Sequence, residues 1–169
     1  MTVRIRSEEA GDQAAVRSVN VAAFGRSAEA DLVDVLRKTT QPLISLVAEV
    51  DGVLVGHILF SPVSLARHEA LKIMGLGPMA VLPDCQRHGI GSALVRKGLS
   101  RCAESNCEAV VVVGHPEYYP RFGFVPASRY ALACEYDVAD EAFMIAELRQ
   151  GCLRDVSGTI RYDEAFGSV

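Results

Sequence analysis

The segment Gln86-Arg87-His88-Gly89-Ile90-Gly91-Ser92-Ala93 sets two glycines, one residue apart, ahead of a stretch with helical apolar spacing. Glycine lets a backbone turn tightly and expose successive N–H groups. A helix start adds unpaired amides and about half a positive charge. Together these suit a phosphate or a pyrophosphate, and they equally suit an ordinary tight turn. Between Cys85 and Ala103 the chain carries four basic residues (Arg87, Arg96, Lys97, Arg101) and no acid, in a protein of net charge −4. Such a local basic stretch can hold a small anion or simply form a solvated helix face. A second segment, Val113-Gly114-His115-Pro116-Glu117-Tyr118-Tyr119-Pro120-Arg121-Phe122-Gly123-Phe124, packs aromatics, two prolines and two glycines into one turn. A tyrosine there can donate a phenolic proton. The same aromatics can also serve only to pin the turn.

Other nucleotide motifs do not fit. The phosphate-loop string G-x-x-x-x-G-K-[ST] is absent. Gly75-Leu76-Gly77-Pro78-Met79-Ala80 matches G-x-G-x-x-A, but Val81-Leu82-Pro83 ends a strand there instead of opening a helix. Five scattered cysteines (Cys85, Cys102, Cys107, Cys134, Cys152) show no zinc-ligand spacing, so no metal is expected and free thiols are.

The elements that must position these segments follow from periodicity. A strand is predicted over Val3–Ile5, and helices over Asp12–Phe24 and Ala28–Lys38, with Ser27 as a candidate N-cap. Asp51-Gly52 joins Ile44–Val50 to Val53–Ser61 as a hairpin. Leu71–Val81 reads as a third strand of that group, followed by the glycine loop and a helix to about Asn106. Ala109–Val113 is a continuous apolar run, hence a strand buried on both faces. Ala142–Leu148 and Gly158–Tyr162 are the last strand candidates. A meander that feeds a helix and then a central strand is α+β. Half the residues are apolar and 22% are charged, which predicts one folded domain over residues 1–169. No stretch reaches the roughly 18–20 apolar residues of a membrane span. The N-terminus lacks the pattern of a signal peptide. A cytoplasmic protein that binds neither membrane nor nucleic acid is expected, as a monomer or homodimer.

In this order, the motifs resemble the GNAT N-acetyltransferase superfamily. Gln86-x-x-Gly89-x-Gly91 is similar to its [RQ]-x-x-G-x-[GA] coenzyme A loop, and Tyr118-Tyr119-x-x-x-Gly123-Phe124 to its [FY]-Y-x-x-x-G-F motif. Ala23-Phe24 and Gly114-His115-Pro116-Glu117-Tyr118-Tyr119 look like the YhbS-like branch. The resemblance implies the GNAT acyl-CoA N-acyltransferase fold: α+β, with a mostly antiparallel mixed central sheet, splayed central strands and flanking helices. It implies acetyl-CoA (coenzyme A) as co-substrate. Backbone groups of Met79, Ala80 and Val81 would meet the pantetheine arm. Gln86, Arg87, His88, Gly89, Ile90, Gly91 and Ser92 would form the diphosphate cradle. Phe24 and Glu29 would border the acceptor, a small-molecule amine or a peptide or protein amine.

The implied reaction is direct attack of a primary amine on the thioester. Tyr119 is the candidate acid for the departing thiolate, and a backbone N–H near Val81 is the candidate oxyanion donor. His115 is a candidate base, since an imidazole of unperturbed pKa about 6.5 suits an ammonium proton; a histidine that only fixes the turn is the other reading. Glu29 either binds a cationic substrate or favours its helix N-terminus. Leu71–Val81 holds no carboxylate beyond its start, so the mid-strand glutamate base of some relatives is missing. A non-catalytic acyl-CoA sensor on the same fold is the alternative function.

Overall fold

The computed structural model describes residues 2–169; Met1, the first residue of the expected domain, lies outside them. The described chain forms two compact units. The strands β3 (Val53–Leu65) and β4 (Ile73–Val81) and the helix α3 (Ile90–Glu104) each run from one into the other.

The first unit takes the chain up to Ser61, with Gly77–Gly98 and Glu164–Val169. In it β1 (Val3–Ser7) pairs antiparallel with β2 (Ile44–Val50), and β2 pairs antiparallel with β3. Asp51 and Gly52 join them with φ values of 52° and 79°, the two positive values that a tight right-twisted hairpin needs. Strand alternation then sorts β3 onto two faces. On one, Leu59 packs with Val16 of α1 (Gln13–Phe24), with Leu32, Val33 and Leu36 of α2 (Ala28–Thr39), and with Val47. On the other, a Cβ placed on Gly56 would stand 3.2 Å from Leu94 Cδ1 and 3.3 Å from Ile90 Cγ2 of α3. Two residues on, the Phe60 ring occupies the space above Gly98, where a Cβ would come within 2.2 Å of Cε1. Glycine on the apolar side of α3 thus admits an aromatic ring. Ser27 holds the N-cap position of α2, but its side chain makes no cap hydrogen bond.

A polar cluster is sealed under the two helices. His57 is 0% exposed. Asn20 Nδ2 donates to the Val16 carbonyl at 3.0 Å and stands 3.2 Å from His57 Nδ1. That network assigns the imidazole proton to Nε2, which lies 2.9 Å from Ser45 Oγ. Ser45 donates to Glu8 Oε1 at 2.5 Å, and Arg37 closes on Glu8 Oε2 at 2.6 Å. Burial holds the His57 imidazole below its ordinary pKa, although Glu8 pulls the other way. Burial pushes the Glu8 carboxyl up, but hydrogen bonds with His57 and Ser45 and the charge of Arg37 outweigh it and hold it low.

The sign of the pH effect follows. The unfolded chain takes up a proton at this imidazole near its ordinary pKa of about 6.5, and the folded chain resists it. The contribution of His57 is therefore complete above about pH 6.5 and is lost as the pH falls below that value. Urea midpoints are expected to drop between pH 7 and pH 5, and His57→Gln to flatten that slope. An unchanged slope in the variant would contradict the assignment.

The second unit takes Pro62–Leu76 and Leu99–Asp163. Its centre is β5 (Ala109–Val113), buried as its apolar run predicts except at Val113. Ile73–Gly75 of β4 pair parallel with Ala109–Val111, while all of β5 pairs antiparallel with β8 (Phe143–Glu147). The two-residue β6 (Val125–Pro126) joins the far side of β8. β9 (Gly158–Arg161) pairs antiparallel with Ser64–Leu65 of β3 and parallel with β7 (Leu132–Cys134). Leu65, Ile73, Val111, Ile145, Leu153 and Ile160 form the core of this unit. The stretch between β5 and β8 holds only 3₁₀ turns and short strands, and β3 continues to Leu65 instead of ending at Ser61. α3 stops at Glu104 in a glycine-free C-cap: Asn106 takes φ 66° and the Cys107 N–H reaches back to the Cys102 carbonyl at 3.0 Å.

Candidate functional site

The end of β4 and the start of α3 are tied together by short-range bonds. The Leu82 N–H donates to the Val55 carbonyl at 2.9 Å, anchoring the end of β4 to β3. A 3₁₀ turn over Pro83–Cys85 follows. Gln86 Nε2 donates to the Val81 carbonyl at 3.0 Å, and His88 Nδ1 lies 3.3 Å from the Cys85 carbonyl. The Gln86 carboxamide therefore clips the loop to the end of β4. Arg87 and Gly89 both take left-handed φ, 64° and 83°, so the backbone between them folds back on itself. Gln86 through Gly89 are exposed. The Ala93 N–H on the Gly89 carbonyl, at 3.0 Å, is the first bond of the helical ladder. The amides of Ile90 and Gly91 precede that bond, and the first turn of a helix offers them no intrahelical acceptor. A Cβ on Gly89 would meet nothing within 4 Å. The need for glycine there comes from φ, not from crowding by the protein. Arg87, Arg96 and Lys97 are all exposed. An exposed, amide-rich turn with basic side chains and no acid between Cys85 and Ala103 is a fitting seat for a diphosphate.

The aromatic turn belongs to the second unit. The Gly114 N–H donates to the Ala142 carbonyl at 2.9 Å. The His115 carbonyl accepts from Tyr118 at 3.0 Å and Tyr119 at 3.4 Å, which starts the 3₁₀ turn Tyr119–Phe122. Gly123, at φ 94°, ends it. The Tyr119 ring is buried, edge-on to Tyr118 at 5.1 Å and to Phe124 at 5.6 Å. Tyr118 also meets Phe122 at 5.2 Å, and Arg121 lies over the Tyr118 ring at 4.6 Å. Burial, with a smaller effect from Tyr118, pushes the Tyr119 phenol up to about 12. The phenol is thus fully protonated over any physiological range. His115 is exposed at the shoulder of this turn.

Glu29 lies in the first turn of α2 with its side chain only 10% exposed, and Arg26, 58% exposed, covers it. The pair is bidentate, with Nε on Oε1 at 2.9 Å and Nη2 on Oε2 at 2.5 Å. The Arg26 guanidinium holds the Glu29 carboxyl below its ordinary value. Phe24, at the end of α1, is exposed.

The structure thus places Met79 to Ser92 along the end of β4 and the turn into α3, brings His115 and Tyr119 together at another turn, and puts Phe24 at the end of α1 and Glu29 in the first turn of α2. Sequence reasoning missed Arg26 as the partner of Glu29, although the i,i+3 spacing was visible. The sequence around Gly114 assigns that residue no role of its own. Among the described residues no group of histidine, cysteine, aspartate and glutamate side chains could hold a metal ion. No helix among them is long and apolar enough to cross a membrane.

The profile of the acetyltransferase (GNAT) family matches residues 14–124. The uncharacterized N-acetyltransferase YhbS of Escherichia coli K12 is 36% identical over 144 residues, 85% of this chain and 86% of that protein. The uncharacterized N-acetyltransferase YjhQ of the same strain is 40% identical over 120 residues, 69% of this chain and 66% of that protein. Among solved structures, Escherichia coli YhbS in complex with CoA superposes with a TM-score of 0.91 at 33% identity, over 98% of this chain and 92% of that one. A GNAT family acetyltransferase from Brucella melitensis in complex with acetyl-CoA gives 0.80 at 34% identity, over 98% of both chains.

Proposed function

The chain belongs to the acetyltransferase (GNAT) family, and on that footing we propose that it transfers an acetyl group from acetyl-CoA to a primary amine. The acceptor is a small molecule or a peptide or protein amine. The observation that carries this reading is the exposed, doubly left-handed turn from Gln86 to Gly89 that opens α3. In this reading the amides from Arg87 to Ser92 hold the diphosphate, and backbone groups of Met79, Ala80 and Val81 meet the pantetheine arm. The relatives solved with CoA and acetyl-CoA support the choice of co-substrate.

His115, exposed, takes a proton from the acceptor ammonium. The neutral amine then attacks the thioester carbon, a C–N bond forms and the C–S bond breaks, and the proton that the nitrogen sheds passes to the departing thiolate, which leaves as the free thiol. A backbone N–H near Val81 stabilises the oxyanion, a contribution of about 3–4 kcal/mol where such donors have been removed. Tyr119 donates toward the departing sulfur. With the phenol at about 12 and a thiol near 8.5, complete transfer is uphill, so Tyr119 acts chiefly as a hydrogen-bond donor that polarises the C–S bond. Glu29, its charge paired with Arg26, borders the acceptor side together with Phe24. We take residues 1–169 as one catalytic domain, because three elements run through both units. The free cysteines fit the reducing cytoplasm.

The test is binding followed by turnover. Acetyl-CoA at 100 times its dissociation constant should stabilise the fold by about 2.7 kcal/mol, read as a raised melting temperature. A panel of amines should then release free thiol, and His115→Ala should remove the acidic limb of the pH–rate profile. Binding without thiol release from any amine would indicate the acyl-CoA sensor instead. No thermal shift would overturn the reading entirely.

A further inference from the structure

We infer that Gly114 is a positioning residue for Tyr119: its bare α-carbon, just past the end of β5, is the floor on which the phenol ring rests. The inference rests on the reading of Tyr119 as the donor to the leaving group. A Cβ placed on Gly114 would stand 2.3 Å from Tyr119 Cε2, 2.9 Å from Cδ2 and 3.3 Å from Cζ. These contacts run along one edge of the ring toward the carbon that bears the hydroxyl. The ring has little freedom to yield, because Phe124 and Tyr118 meet it edge-on and it is buried. The floor is fixed too, since the Gly114 N–H is bonded to Ala142. Gly114 is not among the glycines with positive φ. Its backbone would accept alanine without strain, so the space taken by the ring is what requires glycine here.

Four residues lie between the two positions. The His115 carbonyl gathers the Tyr118 and Tyr119 amides and turns the chain back over residue 114. The His115-Pro116-Glu117 segment is therefore a spacer of set length, and Gly114 and Tyr119 act as a pair. A methyl group at 114 must push the ring and its hydroxyl off their place. A misplacement on the order of 1 Å can cost about a hundred-fold in rate.

Gly114→Ala is expected to lower kcat about ten- to a hundred-fold, with the KM for acetyl-CoA within twofold of the parent. In a Tyr119→Phe background the same change should leave kcat where it is. Enzyme labelled with ¹³C at tyrosine Cζ adds a spectroscopic readout: the Tyr119 signal should move, and its titration should fall from about 12 toward the ordinary tyrosine value. If Gly114→Ala does not fold, Gly114→Ala with Phe124→Leu gives the ring room to shift, and the same low kcat with unchanged KM is expected. Should Tyr119→Phe itself leave kcat intact, the donor role fails and this inference falls with it. Should Tyr119→Phe lower kcat while Gly114→Ala does not, or should Gly114→Ala cost as much in the phenylalanine background, the positioning role alone is overturned.

Discussion

Tyr119→Phe is expected to lower kcat by roughly 10²–10³-fold, the usual range for a lost hydrogen-bond donor to developing charge, while the KM for acetyl-CoA and the urea midpoint stay near those of the parent. Only one oxygen is removed. The ring keeps its edge contacts with Tyr118 and Phe124 and its place over Gly114, so packing is preserved. The loop that would hold the diphosphate is untouched. Because burial pushes the phenol up to about 12, the donor form persists far into alkali, and the parent should show no alkaline loss of kcat from this group up to about pH 10. A kcat within twofold of the parent at saturating substrates would remove Tyr119 from the chemistry and leave the turn with only a packing role.

What the sequence revealed and what it hid divide along chain distance. Asp51-Gly52 is a local signal, since the two residues alone set the positive φ values of the hairpin, and it appears where expected. The glycine loop is local in the same sense: a strand end, Gly89 and a helix start lie within a dozen residues. The apolar run Ala109–Val113 announces its own burial, although Val113 is exposed at the end of the strand. Non-local pairing is harder to read. β9 owes its place to Ser64–Leu65 and to β7, far apart in the chain, and those partners also explain why β3 outlasts the polar residue at which it seemed to stop. β6 and β7 have two and three residues, too few to show a period of two. His57 reads as one histidine in a strand. Its cage of Asn20, Ser45 and Glu8 comes from α1, β2 and the stretch after β1, which no spacing rule joins. Gly114 stands between these cases: its distance from Tyr119 is short, but only the turn at His115 turns that spacing into contact.

Gly89→Val is expected to weaken acetyl-CoA binding by about a hundred-fold or more, roughly 2.8 kcal/mol at 1.4 kcal/mol per factor of ten, and to leave the chain folded. Two effects act together. Residue 89 sits at φ 83°, a region that costs an ordinary L-residue about 1–2 kcal/mol and suits a β-branched one least. The side chain itself would project into open space, with no protein atom within 4 Å of its Cβ. The protein thus loses only the backbone strain, seen as a modest fall in the urea midpoint, because nothing inside it is displaced. The ligand is expected to lose more, because a branched side chain next to the amides of Ile90 and Gly91 would take room that a diphosphate bound there would need. A truncated co-substrate separates the two effects. The acetyl thioester of N-acetylcysteamine has the reactive group but no diphosphate, so its slow turnover should be nearly the same in parent and variant. If acetyl-CoA binds Gly89→Val within threefold of the parent, or if the truncated thioester suffers the same loss, the turn at the start of α3 does not hold a diphosphate.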